Sequence, residues 1–180
     1  MDRQPILEGE RLLLRPLVPE DWAALYAVAC DPQLWARHPS HDRWQEPVFR
    51  AFFDDALDRR GALAIIGKES GRLIGSSRFQ NHDPVDGGLV EIGWTFLARD
   101  CWGTGLNAEA KRLMLVHAFE YVARVVFSVG ANNVISRRAM TKIGGRLTDE
   151  TWIEERAGVP VEHVRFEITR EDFAKGPLSV

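Results

Sequence analysis

Residues 89–129, LVEIGWTFLARDCWGTGLNAEAKRLMLVHAFEYVARVVFSV, constrain the fold more than any other part of the chain. A strand-like run, a glycine-bracketed turn, a helix-forming segment and a second β-branched run follow one another with no hairpin signal between them. Two strands joined through a helix lie parallel. In the first run the alternation predicts Val90, Ile92, Trp94 and Phe96 on one face and Glu91, Gly93, Thr95 and Leu97 on the other. The helix reads to about Tyr121. It is polar at its start (Asn107, Glu109, Lys111, Arg112) and apolar nearly all round at its end, as suits a helix laid across a sheet.

The remaining segments read mostly as antiparallel. RLLLRPL (11–17) is a first strand, and Pro19-Glu20-Asp21 opens a helix carrying Trp22, Leu25, Tyr26 and Ala29 at helical spacing. A loop containing DPQLWARHPSHDRW leads to a second helix with Phe49, Phe52, Phe53 and Ala56 on one face. ALAIIGK and RLIGSSRFQ flank ESG as a hairpin, and DPVDGG turns into the run at 89. NNVISRRAMTKIGG is a short helix between an asparagine start and a glycine stop. RLTDETWIEERAGVPVEHVRFEIT closes the chain as two strands around RAGVP. The order β-α-α-β-β-β-α-β-α-β-β predicts one α/β layered domain over residues 1–180, with a mixed, mostly antiparallel central sheet flanked by helices.

The turn at 99–112, RDCWGTGLNAEAKR, presents unpaired backbone N–H groups at the positive end of a helix, a setting for an anion such as phosphate. Gly103 to Ala108 spell G-x-G-x-x-A, the dinucleotide fingerprint. That fold needs an acid about 20 residues on, at the end of the next strand. Here no Asp or Glu occurs between Tyr121 and Thr148, so the dinucleotide reading fails. A nucleotide P-loop fails as well, for want of G-K-[ST]. A bare strand-to-helix connection would manage with one glycine, since each costs ordering entropy.

A net charge of −3 gives no electrostatic case for nucleic acid or an anionic membrane. The longest apolar run, LMLVHAF, is too short to span a bilayer, and the charged first residues do not read as a secretion signal. Cys30 and Cys101 stand apart from each other, and the five histidines show no metal-ligand spacing. The expectation is a soluble cytoplasmic protein with two free thiols and no metal.

Across nearly its whole length the chain resembles the GNAT superfamily of N-acetyltransferases, in particular the RimJ/RimL-like branch that acetylates protein N-terminal amines. The resemblance rests on LEGERLLLRPLVPEDW, GRLIGSSRF, VEIGW, DCWGTGL with NAEAKRLMLVHAF, and NNVISRRAMTKIGG in that order. It implies acetyl-CoA as cosubstrate, with the loop amides on its pyrophosphate. The coenzyme-binding set it implies is Phe96, Leu97, Trp102, Gly103, Thr104, Gly105, Leu106, Asn107, Asn133 and Arg138. Asp100 stands where the family pattern has Gln or Arg, with Arg99 one residue early. The family's Asn-x-x-Ser is present as Asn133-Val134-Ile135-Ser136, which marks Ser136 as the proton donor. Trp35, His38, His41 and Trp44 fall in the loop that borders the acceptor site in this family; Trp35, His38 and Trp44 are taken as substrate-binding.

Acetyl transfer to an amine needs a neutral amine and a tolerated thiolate. An α-amine near pKa 8 costs about 1 kcal/mol to deprotonate at pH 7, a lysine about 4.6. A coenzyme thiol near pKa 8.5 leaves with little help. Glu91, on the central strand, is the candidate base; the alternative is a structural carboxylate paired with an arginine. Ser136 could equally be a hydroxyl that bonds backbone at the helix start, and Asn133 a helix cap. Arg137, Arg138 or Lys142 could meet the ribose phosphate, or form a solvated face. Cys101 has no histidine nearby and no acyl-enzyme is needed, so direct attack is expected. His117 reads as a hydrogen-bonded core residue. A small-molecule or peptide amine is the expected acceptor, with monomer and homodimer both open. A non-catalytic acyl-CoA-binding module would also keep the pyrophosphate loop.

Overall fold

A computed structural model describes residues 1–179. One eight-stranded sheet runs through it: β1 (Leu7–Glu8), β2 (Leu12–Pro16), β3 (Ala62–Gly67), β4 (Leu73–Asp83), β5 (Leu89–Leu97), β6 (Arg124–Gly130), β7 (Arg146–Arg156) and β8 (Val159–Thr169). Their spatial order is β1-β2-β3-β4-β5-β6-β8-β7. Every neighbouring pair is antiparallel except β5 and β6, which the helix between them makes parallel.

Six helices cover the sheet: α1 (Trp22–Ala29), α2 (Pro32–Trp35), α3 (Glu46–Arg59), α4 (Leu106–Phe119), α5 (Val134–Lys142) and α6 (Arg170–Lys175). The two-residue strand β1, the single turn α2 and the closing helix α6 go beyond the sequence expectation. The last had a signal: Thr169 and Asp172 form a reciprocal capping box.

Two apolar layers sandwich the sheet. On one side Ala110, Met114, Leu115 and Ala118 of α4 pack on Leu14, Ile65, Phe79, Val90, Ile92 and Phe127. On the other, Leu25 and Ala29 of α1 and Phe49, Phe53 and Ala56 of α3 pack with Trp35, Ala64 and Phe96. The aromatic stripe of α3 thus faces the core, and Trp22 stacks on Tyr26 at 5.2 Å between centroids.

The expected alternation along β5 holds only as far as Gly93. Against β4 the register moves from Ser76↔Phe96 to Arg78↔Gly93, three residues on β5 for two on β4. Trp94 takes up the extra residue at φ +53°, a left-handed backbone that bulky residues seldom adopt. Beyond this bulge the faces exchange. Phe96 joins the α1/α3 layer, whereas Leu97 joins Val90 and Ile92 under α4. The single-face assignment of Val90, Ile92, Trp94 and Phe96 is therefore corrected.

Candidate active site

β5 and β6 pair only from Leu89↔Arg124 to Glu91↔Val126. Both continue, to Leu97 and Gly130, without a ladder between them. A cleft of about 950 Å³ occupies the gap, walled by Glu91–Leu97 on one side and Phe127–Gly130 on the other.

The glycine turn closes one end. Gly103 (φ +75°) and Gly105 (φ +86°) are both left-handed, and Gly105 leads directly into α4. A Cβ on either would be strained, and at Gly105 it would also lie 3.3 Å from the Arg11 guanidinium. Among the described residues, the amides of Gly103, Thr104 and Gly105 donate to no protein acceptor. With the Asn107 and Ala108 amides of the first turn of α4 they form a concentrated donor site for an anion. The rest of the turn is braced. Thr104 Oγ1 donates to Cys101 O at 2.6 Å, Trp102 Nε1 to Leu97 O at 2.9 Å, and Arg11 Nη1 to Thr104 O at 3.0 Å. Arg11 is itself held by Glu109 at 2.9 Å. Asp100 pairs with Arg72 at 2.6 Å, and Arg99 with Asp31 at 2.6 Å.

Three polar groups line the middle of the cleft. Glu91 is 7% exposed and accepts a 2.7 Å hydrogen bond from Asn81 Nδ2. Asn81 sits at φ +50° where the β4–β5 register slips again, so an irregularity in β4 turns an amide toward this carboxylate. The arginine partner envisaged for Glu91 is an asparagine instead. Asn133 Oδ1 accepts from the Ser136 amide at 3.1 Å, so Asn133 caps α5. The Ser136 hydroxyl lines the cleft with no protein partner among the described residues.

The third group, Lys111 of α4, is 2% exposed. Its Nζ meets Thr95 Oγ1 at 2.5 Å and Ser77 Oγ at 3.1 Å, with the Phe127 ring 5.8 Å away. Among the described residues no carboxylate accompanies it, and burial pushes its pKa down to about 7.

The far end is aromatic and cationic. Trp35 is 2% exposed, donates Nε1 to Ala29 O at 2.7 Å and touches Phe96 at 5.2 Å. His38 Nδ1 accepts from the Ser40 amide at 2.9 Å. Burial, then Arg43, Arg156 and His163, push His38 down to about 3, so it is neutral near pH 7. Trp152 of β7 stacks on His163 of β8 at 5.6 Å, and Arg156 is paired with Glu154. Among the described residues no cluster of His, Cys, Asp and Glu could hold a metal, and no helix is long and apolar enough to cross a membrane.

The model of the GNAT acetyltransferase domain matches residues 11–146, three quarters of the chain, from β2 through the glycine turn to the start of β7. The chain belongs to the GNAT acetyltransferase family. An acetyltransferase from Agrobacterium tumefaciens is 26% identical, with 92% of this chain and 95% of that one covered at a TM-score of 0.68. A GCN5-related N-acetyltransferase from Brucella melitensis shares the fold at 21% identity and a TM-score of 0.81, covering 94% and 80%. Mycobacterium smegmatis RimJ, solved with CoA-disulfide, shares it at 19% identity and 0.71, covering 93% and 86%.

The acetyltransferase brings most of the residues singled out in its sequence to one cleft: Glu91, Phe96, Leu97, Trp102, Gly103, Gly105, Asn107, Asn133, Ser136, Trp35 and His38. Four stand off it. Thr104 turns its hydroxyl inward, Leu106 packs against the α4 core, and the Trp44 side chain lies 38% exposed on the loop. Arg138 lines a separate depression on α5 with Arg137, Lys142 and Leu147. His117 is partly exposed rather than core, its Nε2 2.7 Å from Asp2 O. Cys101 is buried beside the turn, and burial and Asp100 raise its pKa, away from a reactive thiolate.

Lys111, Arg43, Asn81, Trp152, Arg156 and His163 were missed. Lys111 carried one overlooked signal: it falls at i, i+3, i+4 with the buried Met114 and Leu115 of α4. The others had none, because β4, β7 and the α2–α3 connection meet only in three dimensions.

Proposed function

We propose that residues 1–180 act as one acetyl-CoA-dependent N-acetyltransferase domain in which a primary amine, of a peptide N-terminus or a small molecule, attacks the thioester directly. The observation that carries this reading is the run of three unclaimed amides, Gly103 to Gly105, at the mouth of a cleft that also holds a buried carboxylate and an unpartnered hydroxyl. The donor set suits a pyrophosphate, and Trp102 and Asn107 flank it. Acetyl-CoA supplies the acetyl group as an activated thioester.

The chain's own groups supply the proton transfers. Glu91 takes the amine proton, directly or through water, with Asn81 fixing its orientation. Ser136 Oγ donates toward the departing sulfur, which at pKa near 8.5 needs only a weak donor. Cys101 takes no covalent part.

The test is a thermal-shift panel of acetyl-CoA, longer acyl-CoAs, NAD and ATP, followed by acetyl-CoA consumption across peptides and small amines. Stabilisation by acetyl-CoA together with amine-dependent consumption is expected. Stabilisation without consumption for any amine would assign the cleft to binding alone, and a response to NAD instead of acetyl-CoA would overturn the reading.

A further inference from the structure

The acceptor end of the cleft holds a cation that forms no ion pair among the described residues. Arg43, in the α2–α3 connection, lies over Phe52 at 4.4 Å and Trp35 at 5.1 Å, and its hydrogen bond runs to Ser40 Oγ at 3.1 Å. Four other arginines are committed, Arg78 to Asp55 at 2.7 Å, Arg99 to Asp31 at 2.6 Å, Arg165 to Glu150 at 2.5 Å, and Arg156 to Glu154, while Arg37 lines the cleft from an exposed position. Among the described residues Arg43 forms no ion pair. Burial and Arg156 together pull its pKa down to about 10, so the site works against its own cation, which Asp42 offsets only in part. A half-buried charge left in this state costs stability, and an arriving anion relieves it.

The position relative to Glu91 narrows the anion. Trp35 and Phe52 both contact Phe96, at 5.2 and 6.2 Å, so the guanidinium rests on an aromatic floor that continues into β5. Val90 and Ile92 point under α4, which puts Glu91 on the opposite face. The bulge at Trp94 brings Phe96 to that same opposite face. One wall of the cleft therefore presents a carboxylate and, across the bulge, an unpaired guanidinium, complementary to a molecule with an amine at one end and an acid at the other. A planar guanidinium matches a planar carboxylate in a bidentate pair. A phosphate dianion fits less well, since the Glu154 carboxylate lines the same cleft.

We propose that the acceptor is an amine that also carries a carboxylate, which Arg43 holds while the amine faces Glu91; this rests on the acetyl-transfer reading of the cleft. The acid group can belong to a free amino acid or to an acidic second residue of a peptide, since both offer the same pair of groups.

The test compares β-alanine with β-alaninamide, and peptides bearing Asp at the second position with their Asn counterparts. The carboxylate member of at least one pair should be preferred by about tenfold or more in kcat/KM. The amide has the less basic amine, so intrinsic reactivity runs against this preference. Arg43→Gln should lower kcat/KM for the carboxylate member about tenfold more than for its neutral partner, and Arg43→Lys should retain part of the discrimination. Which pair responds separates amino acid from peptide. Equal turnover within every pair, or an equal loss for both members in Arg43→Gln, would overturn the proposal.

A measurement on the unmutated protein removes dependence on the variant's folding and on turnover. With CoA bound, N-acetyl-β-alanine or N-acetylated peptides bearing Asp at the second position should raise Tm, and their amide or Asn counterparts should not. Stabilisation by acids without acetylation of any amine would sink the transferase reading and leave the carboxylate site standing. Acetylation with no stabilisation and no preference for acids would do the reverse.

Discussion

Trp102, Gly103, Gly105 and Asn107 reach the cleft from one short turn, whereas the opposite end draws Trp35 from α2, His38 and Arg43 from the α2–α3 connection and Trp152, Arg156 and His163 from β7 and β8. The first end works through backbone: left-handed glycines, free amides and a helix N-terminus. The second works through side chains, with aromatic rings under guanidinium groups and a histidine kept neutral. A backbone site needs few particular residues and accepts one kind of ligand. A side-chain site can be refitted to a new acceptor by single substitutions while the coenzyme end stays intact.

Glu91→Gln tests the junction between the two ends and carries the largest expected effect. It keeps the size of the side chain and a hydrogen bond to Asn81 while removing basicity. kcat should fall by about 10²–10⁴-fold, or less for an acceptor of low pKa, with acetyl-CoA affinity nearly unchanged and part of the rate restored at higher pH. A near-normal kcat at pH 7 would make Glu91 structural.

Gly105→Val attacks the backbone end alone. The φ of +86° and the nearby Arg11 guanidinium leave no relaxed place for a branched side chain. Acetyl-CoA affinity, read by calorimetry on protein shown to be folded, should drop by about 100-fold or more, as for the loss of several charge-assisted hydrogen bonds. Unchanged affinity would remove the turn from the coenzyme site.

Ser136→Ala should cost about tenfold in kcat, because a thiolate of pKa near 8.5 leaves without much assistance. Its Oγ supports no other group, so Tm should hardly change. A large Tm loss with unchanged kcat would mark the hydroxyl as structural. Cys101→Ala should keep most of the activity; ping-pong kinetics abolished by that change would reverse the assignment of direct attack.

Lys111→Met gives the smallest effect, on stability. The folded pKa of about 7 lies below the ordinary 10.5, so between these values the unfolded chain holds a proton that the folded chain has released. Stability from this group therefore rises with pH across that window, and the full burial penalty is present below pH 7. Replacement by Met should raise Tm by roughly 3–6 °C at pH 6, for a gain of ~1–2 kcal/mol, and the gain should shrink toward pH 10. A gain independent of pH would mean that the amine is neutral throughout.

Much of the fold was legible because its signals are short-ranged. The β3–β4 and β7–β8 hairpins, the parallel β5–α4–β6 passage and the aromatic face of α3 all follow from turn residues and periodicity within about 15 residues. The glycine turn was readable for the same reason, since left-handed φ and free N-terminal amides are properties of the segment itself. Arg138 shows the limit. Its place on α5 was readable, but α5 turns it toward Leu147 and Phe166 and away from the cleft.

What the sequence determined by itself is therefore the order of elements, the one parallel pair and the anion-binding turn, because each depends on backbone preferences acting between near neighbours. Tertiary structure decided which face each half of β5 presents, since the bulge at Trp94 puts a non-glycine residue at φ +53°, a conformation no local preference favours. It also decided which charges are paired. Among the described residues Lys111 meets hydroxyls and no acid, and Arg43 meets rings and forms no ion pair, only because β4, β5, α2 and α3 converge there. Electrostatic environment is set by distance in space, and sequence separation says little about that.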